Sequence, residues 1–217
     1  MIPGRSPHGP DASSPPTGPY RGPVVFPHPE APRFERPSSP DRLFDHEDHR
    51  AGDLVAAKEA VLSGGGEPPT ISVILPARNE EATVGAIVAT LQDRLVDDVP
   101  LIDELLVIDD GSTDATAAVA AEAGAKVIDA GSVLPDHGSG GKGEALWKSL
   151  RASRGDIVVW CDADIRNFGE RFVLGVIGPL LTRPDIGFVK GYYRRPLNSD
   201  GEGGGRVTEL VARPLIA

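Results

Sequence analysis

The sequence has a single cysteine, Cys161, in 217 residues. That excludes an intramolecular disulfide and a cysteine-rich zinc site, and at the end of an apolar run the thiol reads as a small core residue rather than a nucleophile. Histidine is sparse as well. His8, His28, His46, His49 and His137 give no metal-binding spacing, and His46 and His49, one helical turn apart in an acidic stretch, read as solvated. No apolar run approaches the ~20 residues that span a bilayer, and the N-terminal stretch lacks the apolar core of a secretion signal, so a cytoplasmic protein without a membrane span is expected. Positive charge is also short. A formal net charge of −10 argues against a general nucleic-acid binder, because phosphate contacts need clustered Lys and Arg. There is no internal repeat.

Glycine and proline are plentiful instead, 26 and 21 residues, with many of the prolines before Pro69. Met1 to about Asp45 is rich in Pro, Ser, Arg and His and has no sustained periodicity. It cannot bury enough apolar surface to offset the entropy of ordering. Residues 1–50 therefore read as a disordered leader and residues 51–217 as one domain.

Within that domain helical and strand patterns alternate. Asp53 to Leu62 reads as a helix ended by Gly64-Gly65-Gly66, and Thr70 to Leu75 as a strand closed by Pro76. A helix follows from Glu80 to about Leu95, with acids in its first turn where the dipole favours them. Leu105 to Ile108 is the second strand, Asp109-Asp110-Gly111-Ser112 a turn, and Thr113 to Ala123 a helix stopped by Gly124. Ala125 to Ile128 is the third strand. After a glycine-rich loop from Gly131 to Gly141 come a helix to Ala152, a strand from Ile157 to Cys161, a helix around Arg171 to Leu181 and a strand from Gly187 to Tyr193. Regular alternation of this kind implies an α/β fold with a mostly parallel, doubly wound sheet flanked by helices.

The strand Ile157–Cys161 runs straight into Asp162-Ala163-Asp164. Its continuous apolar run is that of a strand buried on both faces, and open α/β sheets bind ligands beyond the carboxyl ends of their strands. Two carboxylates this close repel. A hard divalent cation relieves that repulsion, and so do donors from a ligand; Mg²⁺ characteristically shares its shell with substrate phosphates. An isolated Asp-x-Asp is also an ordinary acidic turn. Three further loops supply suitable groups. Pro76-Ala77-Arg78-Asn79-Glu80 turns the chain at the end of the first strand, although Asn-Glu-Glu also suits a helix start. Asp109 and Asp110 could accept hydrogen bonds from a base or ribose, or simply close a turn. Lys142 brings a cation to a helix start, a natural anion site, but no Ser or Thr follows it as a P-loop requires. Finally, Gly203-Gly204-Gly205-Arg206-Val207-Thr208-Glu209 delivers a guanidinium and a hydroxyl to a first helical turn, which reads either as a phosphate or carboxylate site or as a linker and cap.

In order, these pieces resemble the nucleotide-sugar transferases of the GT-A fold, and within them the actinobacterial glucosyl-3-phosphoglycerate synthases. The resemblance runs from about Ala56 to Ala217. It rests on Ile71 through Glu81, on Gly141-Lys142-Gly143-Glu144-Ala145-Leu146-Trp147, on Tyr193-Arg194-Arg195-Pro196-Leu197 and on Gly203 through Pro214.

The resemblance implies a retaining, metal-dependent transfer of glucose from UDP-glucose to the 2-hydroxyl of 3-phosphoglycerate, within methylglucose lipopolysaccharide biosynthesis. It places Pro76, Ala77, Arg78, Asn79, Glu80 and Asp110 at the uridine end of the donor, Lys142 nearby, Asp162 and Ala163 at the ribose and diphosphate, and Asp164 on Mg²⁺ or Mn²⁺. Gly205, Arg206, Val207 and Thr208 would hold the acceptor. No nucleophile for a covalent intermediate stands out, so retention is expected through same-face attack assisted by the leaving phosphate. Asp110 departs from the serine expected in the nearest relatives. The chain stops at Ala217 inside the helix expected from Arg206, so the resemblance also implies a domain incomplete at its C-terminus and a homodimer in the full-length protein. Two alternatives accompany this reading: another GT-A transferase with a phosphorylated or lipid-phosphate acceptor, and a non-catalytic nucleotide-sugar-binding fragment.

Overall fold

The apolar runs that follow Pro69 and Ile102 become the two buried central strands of a parallel sheet. The computed structural model describes residues 46–63, 65–137 and 141–191. The expected leader before residue 46, and the motifs from Tyr193 onward, lie outside them. Four strands, β1 (Ile71–Ala77), β2 (Glu104–Asp109), β3 (Lys126–Asp129) and β4 (Ile157–Trp160), pair in the order β3-β2-β1-β4, every neighbour parallel. The helices are α1 (Ala51–Ser63), α2 (Val84–Leu91), α3 (Thr116–Glu122), α4 (Lys142–Ala152) and α5 (Arg171–Thr182).

Side-chain alternation along β1 divides the core in two. Ile71, Val73, Leu75 and Ala77 pack with Leu54 of α1, Ile87 and Leu91 of α2, Ala120 of α3 and Val173 and Ile177 of α5. Ile74 faces the other way, where it joins Leu106, Ile108 and Ala145 of α4. The chain winds β1, β2, β3 in one direction and then returns past β1 to β4, so α4 covers the opposite face. The direction of the strand order changes between β1 and β4, and the loops leaving the two strands lead to α2 and α5 on the same face.

Six expectations are corrected. Pro76 does not close β1; the strand continues to Ala77, with Pro76 beside Ile108. Along β1 the carbonyls of Thr70 and Ile74 face β4, and those of Ile71 and Ala77 face β2. Pro76 thus directs its missing N–H to the β4 side, beyond the last pair, Ile74 with Trp160, and costs no ladder bond. Strand β4 is not buried on both faces either: it lies at one edge of the described sheet, and Trp160 is exposed, its Nε1 donating to Ser149 Oγ at 2.9 Å. The helix expected from Glu80 begins at Val84, and beyond Leu91 it continues in a wider i→i+5 turn over Gln92–Asp98. Gly187–Gly191 join no ladder among the described residues. His49 is not solvated. His46–Asp48 make a 3-10 turn against α5, and the His49 ring lies so close to Gly178 that an added Cβ would meet it at 2.3 Å. Residues 46–50, assigned to the leader from sequence, therefore belong to the folded unit.

Gly124 stops α3 as expected, with φ 109° and the Ala125 N–H donating to Ala120 O at 3.1 Å. No described helix is long and apolar enough to cross a membrane.

Candidate functional site

Parallel strands bring every strand-ending loop to one edge. The loop after β1 (78–83), the loop after β2 (110–115), the start of α4 and the acid pair after β4 all lie at the carboxyl end of the sheet.

The first two loops are stitched together by side chains taking up backbone amides. Asn79 adopts φ 57°, in the left-handed region that Asn tolerates, and its N–H donates to Ser112 Oγ at 3.0 Å while its Oδ1 accepts from the Thr113 N–H at 2.8 Å. The Glu80 N–H donates to the buried Thr116 Oγ1 at 2.7 Å, and Glu81 Oε2 accepts from the Ala115 N–H at 2.8 Å. These bonds explain why the helix starts late: the amides of 79–81 are engaged across the site rather than in a helical turn. Asp114 accepts from the Thr116 hydroxyl at 2.5 Å, and that bond, ahead of backbone donors, holds its carboxyl below the ordinary value of 3.8.

The two acids of the second turn have different tasks. Asp109 closes the turn, accepting from the Ser112 hydroxyl and from its N–H. Asp110 reaches across the site. Its Oδ2 accepts from the Gly141 N–H at 2.9 Å and lies 3.7 Å from Arg78 Nη1, with the side chain only 12% exposed. It thereby ties the β1 loop to the start of α4. Next along, Lys142 Nζ pairs with Asp162 Oδ1. Behind it, α4 is anchored by Lys148, which is buried, donates to Ala130 O at 3.0 Å and lies 3.0 Å from Glu144 Oε1.

Ala163 is buried between its two acids and Asp164 points outward to solvent. The Ala163 carbonyl accepts from Thr83 Oγ1 at 2.7 Å. Half-buried Cys161 keeps its proton: burial first, then Asp162 and Asp164, push the thiol up to about 12, against a smaller opposing pull from Lys142. This agrees with its reading as a core residue.

The structure therefore brings Arg78, Asn79, Glu80, Asp110, Lys142, Asp162, Ala163 and Asp164 to one edge, with Pro76 and Ala77 at the end of the strand beneath. Gly205, Arg206, Val207 and Thr208 lie outside the described residues. Sequence reasoning missed Thr83, Ser112, Asp114 and Thr116, whose only signal was an excess of hydroxyl and acid residues just after a strand. Carboxylate oxygens suit Mg²⁺ or Mn²⁺. Among the described residues no three ligand-type side chains converge, and exposed Asp164 presents carboxylate oxygens of the kind such a cation takes.

The profile of glycosyl transferase family 2 matches residues 72–201. A glucosyl-3-phosphoglycerate synthase of Mycolicibacterium smegmatis is 48% identical over 180 residues, 81% of this chain and 57% of the relative. Among solved structures, mannosyl-3-phosphoglycerate synthase from Rubrobacter xylanophilus gives a TM-score of 0.70 at 41% identity, over 79% of this chain and 53% of its own. Glucosyl-3-phosphoglycerate synthase from Mycobacterium tuberculosis, solved with Mn²⁺, UDP-glucose and phosphoglyceric acid, gives 0.64 at 47% identity, over 77% and 54%. The chain spans about half the length of these relatives. Its parallel sheet flanked by helices is the GT-A arrangement that the motifs led one to expect.

Proposed function

The chain belongs to glycosyl transferase family 2, and on that footing we propose that it carries the donor site of a metal-dependent hexosyltransferase moving glucose from UDP-glucose to the 2-hydroxyl of 3-phosphoglycerate. The observation that carries this reading is the convergence, at the β1/β4 switch, of the Arg78–Glu81 loop, Lys142 and the Asp162–Asp164 pair. Phosphoglyceric acid, UDP-glucose and Mn²⁺ in the Mycobacterium tuberculosis relative supply the substrate classes.

Pro76 to Glu80 and Asp110 hold the uridine end, Lys142 offers its charge to the diphosphate, and Asp162 and Ala163 border the ribose. Asp164 holds Mg²⁺ or Mn²⁺, which when bound neutralises charge on the departing diphosphate. Gly205, Arg206, Val207 and Thr208 grip the acceptor's phosphate or carboxylate, and this positioning supplies much of the acceleration. The bond from the anomeric carbon to the UDP oxygen breaks, the bond to the acceptor 2-oxygen forms on the same face, and the hydroxyl proton passes to the leaving phosphate. A homodimer and a cytoplasmic location belong to the same proposal.

Similarity to the Rubrobacter mannosyl enzyme favours one second reading, a mannosyl donor. Calorimetry with UDP-glucose and GDP-mannose, with and without Mn²⁺, decides between them, alongside Asp164→Ala and an assay of transfer to 3-phosphoglycerate. Mn²⁺-dependent UDP-glucose binding lost in the variant, together with transfer, supports the glucosyl reading. Preference for GDP-mannose supports the second. Donor binding without transfer to 3-phosphoglycerate points to another phosphorylated or lipid-phosphate acceptor or to a binding module, and a folded protein that binds neither donor refutes the donor site.

A further inference from the structure

Thr83 stands immediately before α2, in the cap position, with φ −127° and ψ −35°. A threonine there ordinarily turns its hydroxyl back to accept a helix N–H. No such bond is made. The hydroxyl instead donates across 80 residues to the Ala163 carbonyl at 2.7 Å. Its other neighbours, Glu80 O at 3.4 Å and Glu80 Oε2 at 3.5 Å, are too distant to compete for a single proton.

The Ala163 carbonyl belongs to the peptide unit that leads into Asp164. That unit is planar, so fixing its oxygen fixes the plane from which the Asp164 Cα departs. Asp162, on the other side, is already held by Lys142. The support under Thr83 is rigid, because Val84, Ile87, Val88 and Leu91 of α2 are fully buried. We propose that Thr83 is a positioning residue for the acid pair: its hydroxyl, diverted from capping α2, holds the Ala163–Asp164 peptide so that the Asp164 carboxylate meets the metal and diphosphate in one orientation. The inference rests on the donor-site reading above.

The test is calorimetric titration of UDP-glucose into the full chain across a range of Mn²⁺ concentrations, for wild type, Thr83→Val and Thr83→Ser. Thr83→Val is expected to need about tenfold more Mn²⁺ for half-maximal binding. Thr83→Ser, which keeps the hydroxyl, restores the wild-type requirement to within about twofold. No cap bond is lost in Thr83→Val, but the carbonyl of buried Ala163 loses its donor, so the melting temperature is expected to fall by about 2–8 °C, and the Mn²⁺ requirement is compared at a temperature where every variant is folded. An unchanged Mn²⁺ requirement in a folded Thr83→Val, or failure of Thr83→Ser to restore it, overturns the proposal and leaves the donor site standing. Should Thr83→Val not fold, Thr83→Ala removes the same hydroxyl and carries the same expectation. Absence of Mn²⁺-dependent binding by the wild type overturns the donor-site reading and this proposal together.

Discussion

Lys142 and Asp162, twenty residues apart in sequence, form an ion pair across the carboxyl edge of the sheet. Lys142 is 63% exposed and Asp162 39%, so water screens the pair and its contribution to stability is small. Its consequence is orientation. The pair holds a cation and an acid on adjacent loops, at the place proposed above for the donor's diphosphate, beside an Asp164 that points outward.

Lys142→Ala is therefore expected to leave the melting temperature nearly unchanged and to weaken UDP-glucose binding about tenfold. Calorimetry at low and high salt checks this. The wild-type advantage should shrink as salt rises, because the charge acts in a screened site. Equal affinities at low salt would refute the role given to Lys142.

Asp110 joins two loops through a single carboxylate oxygen. Asp110→Ala releases both the Gly141 N–H and Arg78, and a fall of about fivefold in UDP-glucose affinity is expected, with faster amide exchange at Gly141 to Gly143. Asp110→Asn keeps an acceptor for Gly141 and should recover most of both. Identical behaviour of Ala and Asn would show that the Gly141 bond carries nothing.

Thr116→Val leaves the Glu80 N–H without its acceptor and Asp114 without its nearest donor. The expected loss is about 1–2 kcal/mol, lowering the melting temperature by about 2–8 °C. The Asp114 carboxyl should move up toward 3.8 in a carbon-detected titration, because the Thr116 hydroxyl is the largest influence lowering it. The sign follows from linkage. A lowered carboxyl adds stability above its unfolded value that disappears as pH falls through the folded one, so the variant should lose less stability on acidification below pH 4 than the wild type.

Cys161 carries the opposite sign. Its thiol, ordinarily near 9.0, is pushed up to about 12. Its contribution is constant below pH 9 and declines between 9 and 12, where the unfolded thiol ionises and the folded one does not. Relative to Cys161→Ala, the wild type should lose stability faster over that window, and native Cys161 should react slowly with thiol reagents at pH 7.5. Rapid labelling of the folded protein would contradict both.

Much of the fold is legible in the sequence. The apolar runs at Ile71 to Leu75 and Leu105 to Ile108 mark strands by themselves, and Gly124 stops α3 because only local backbone freedom is involved. The acids at 162 and 164 could be placed at a strand end for the same reason. Less legible was anything that depends on which strand lies beside which. Pro76 reads as a strand terminator until β4 is seen to end opposite Ile74, and Glu80 reads as a helix start until Thr116 is seen to take its N–H.

By itself, then, the sequence determined the alternation of strands and helices, the chemistry of the strand-ending loops and the family resemblance, since hydrophobic periodicity, turn chemistry and motif spacing involve residues close along the chain. The tertiary structure alone decided that Asp110 anchors Gly141, that Lys142 meets Asp162, that His49 packs on Gly178 and that Thr83 grips Ala163. Those pairings join residues 20 to 129 positions apart, and they arise only once the order β3-β2-β1-β4 has brought the carboxyl ends of the strands, and the helices behind them, into contact.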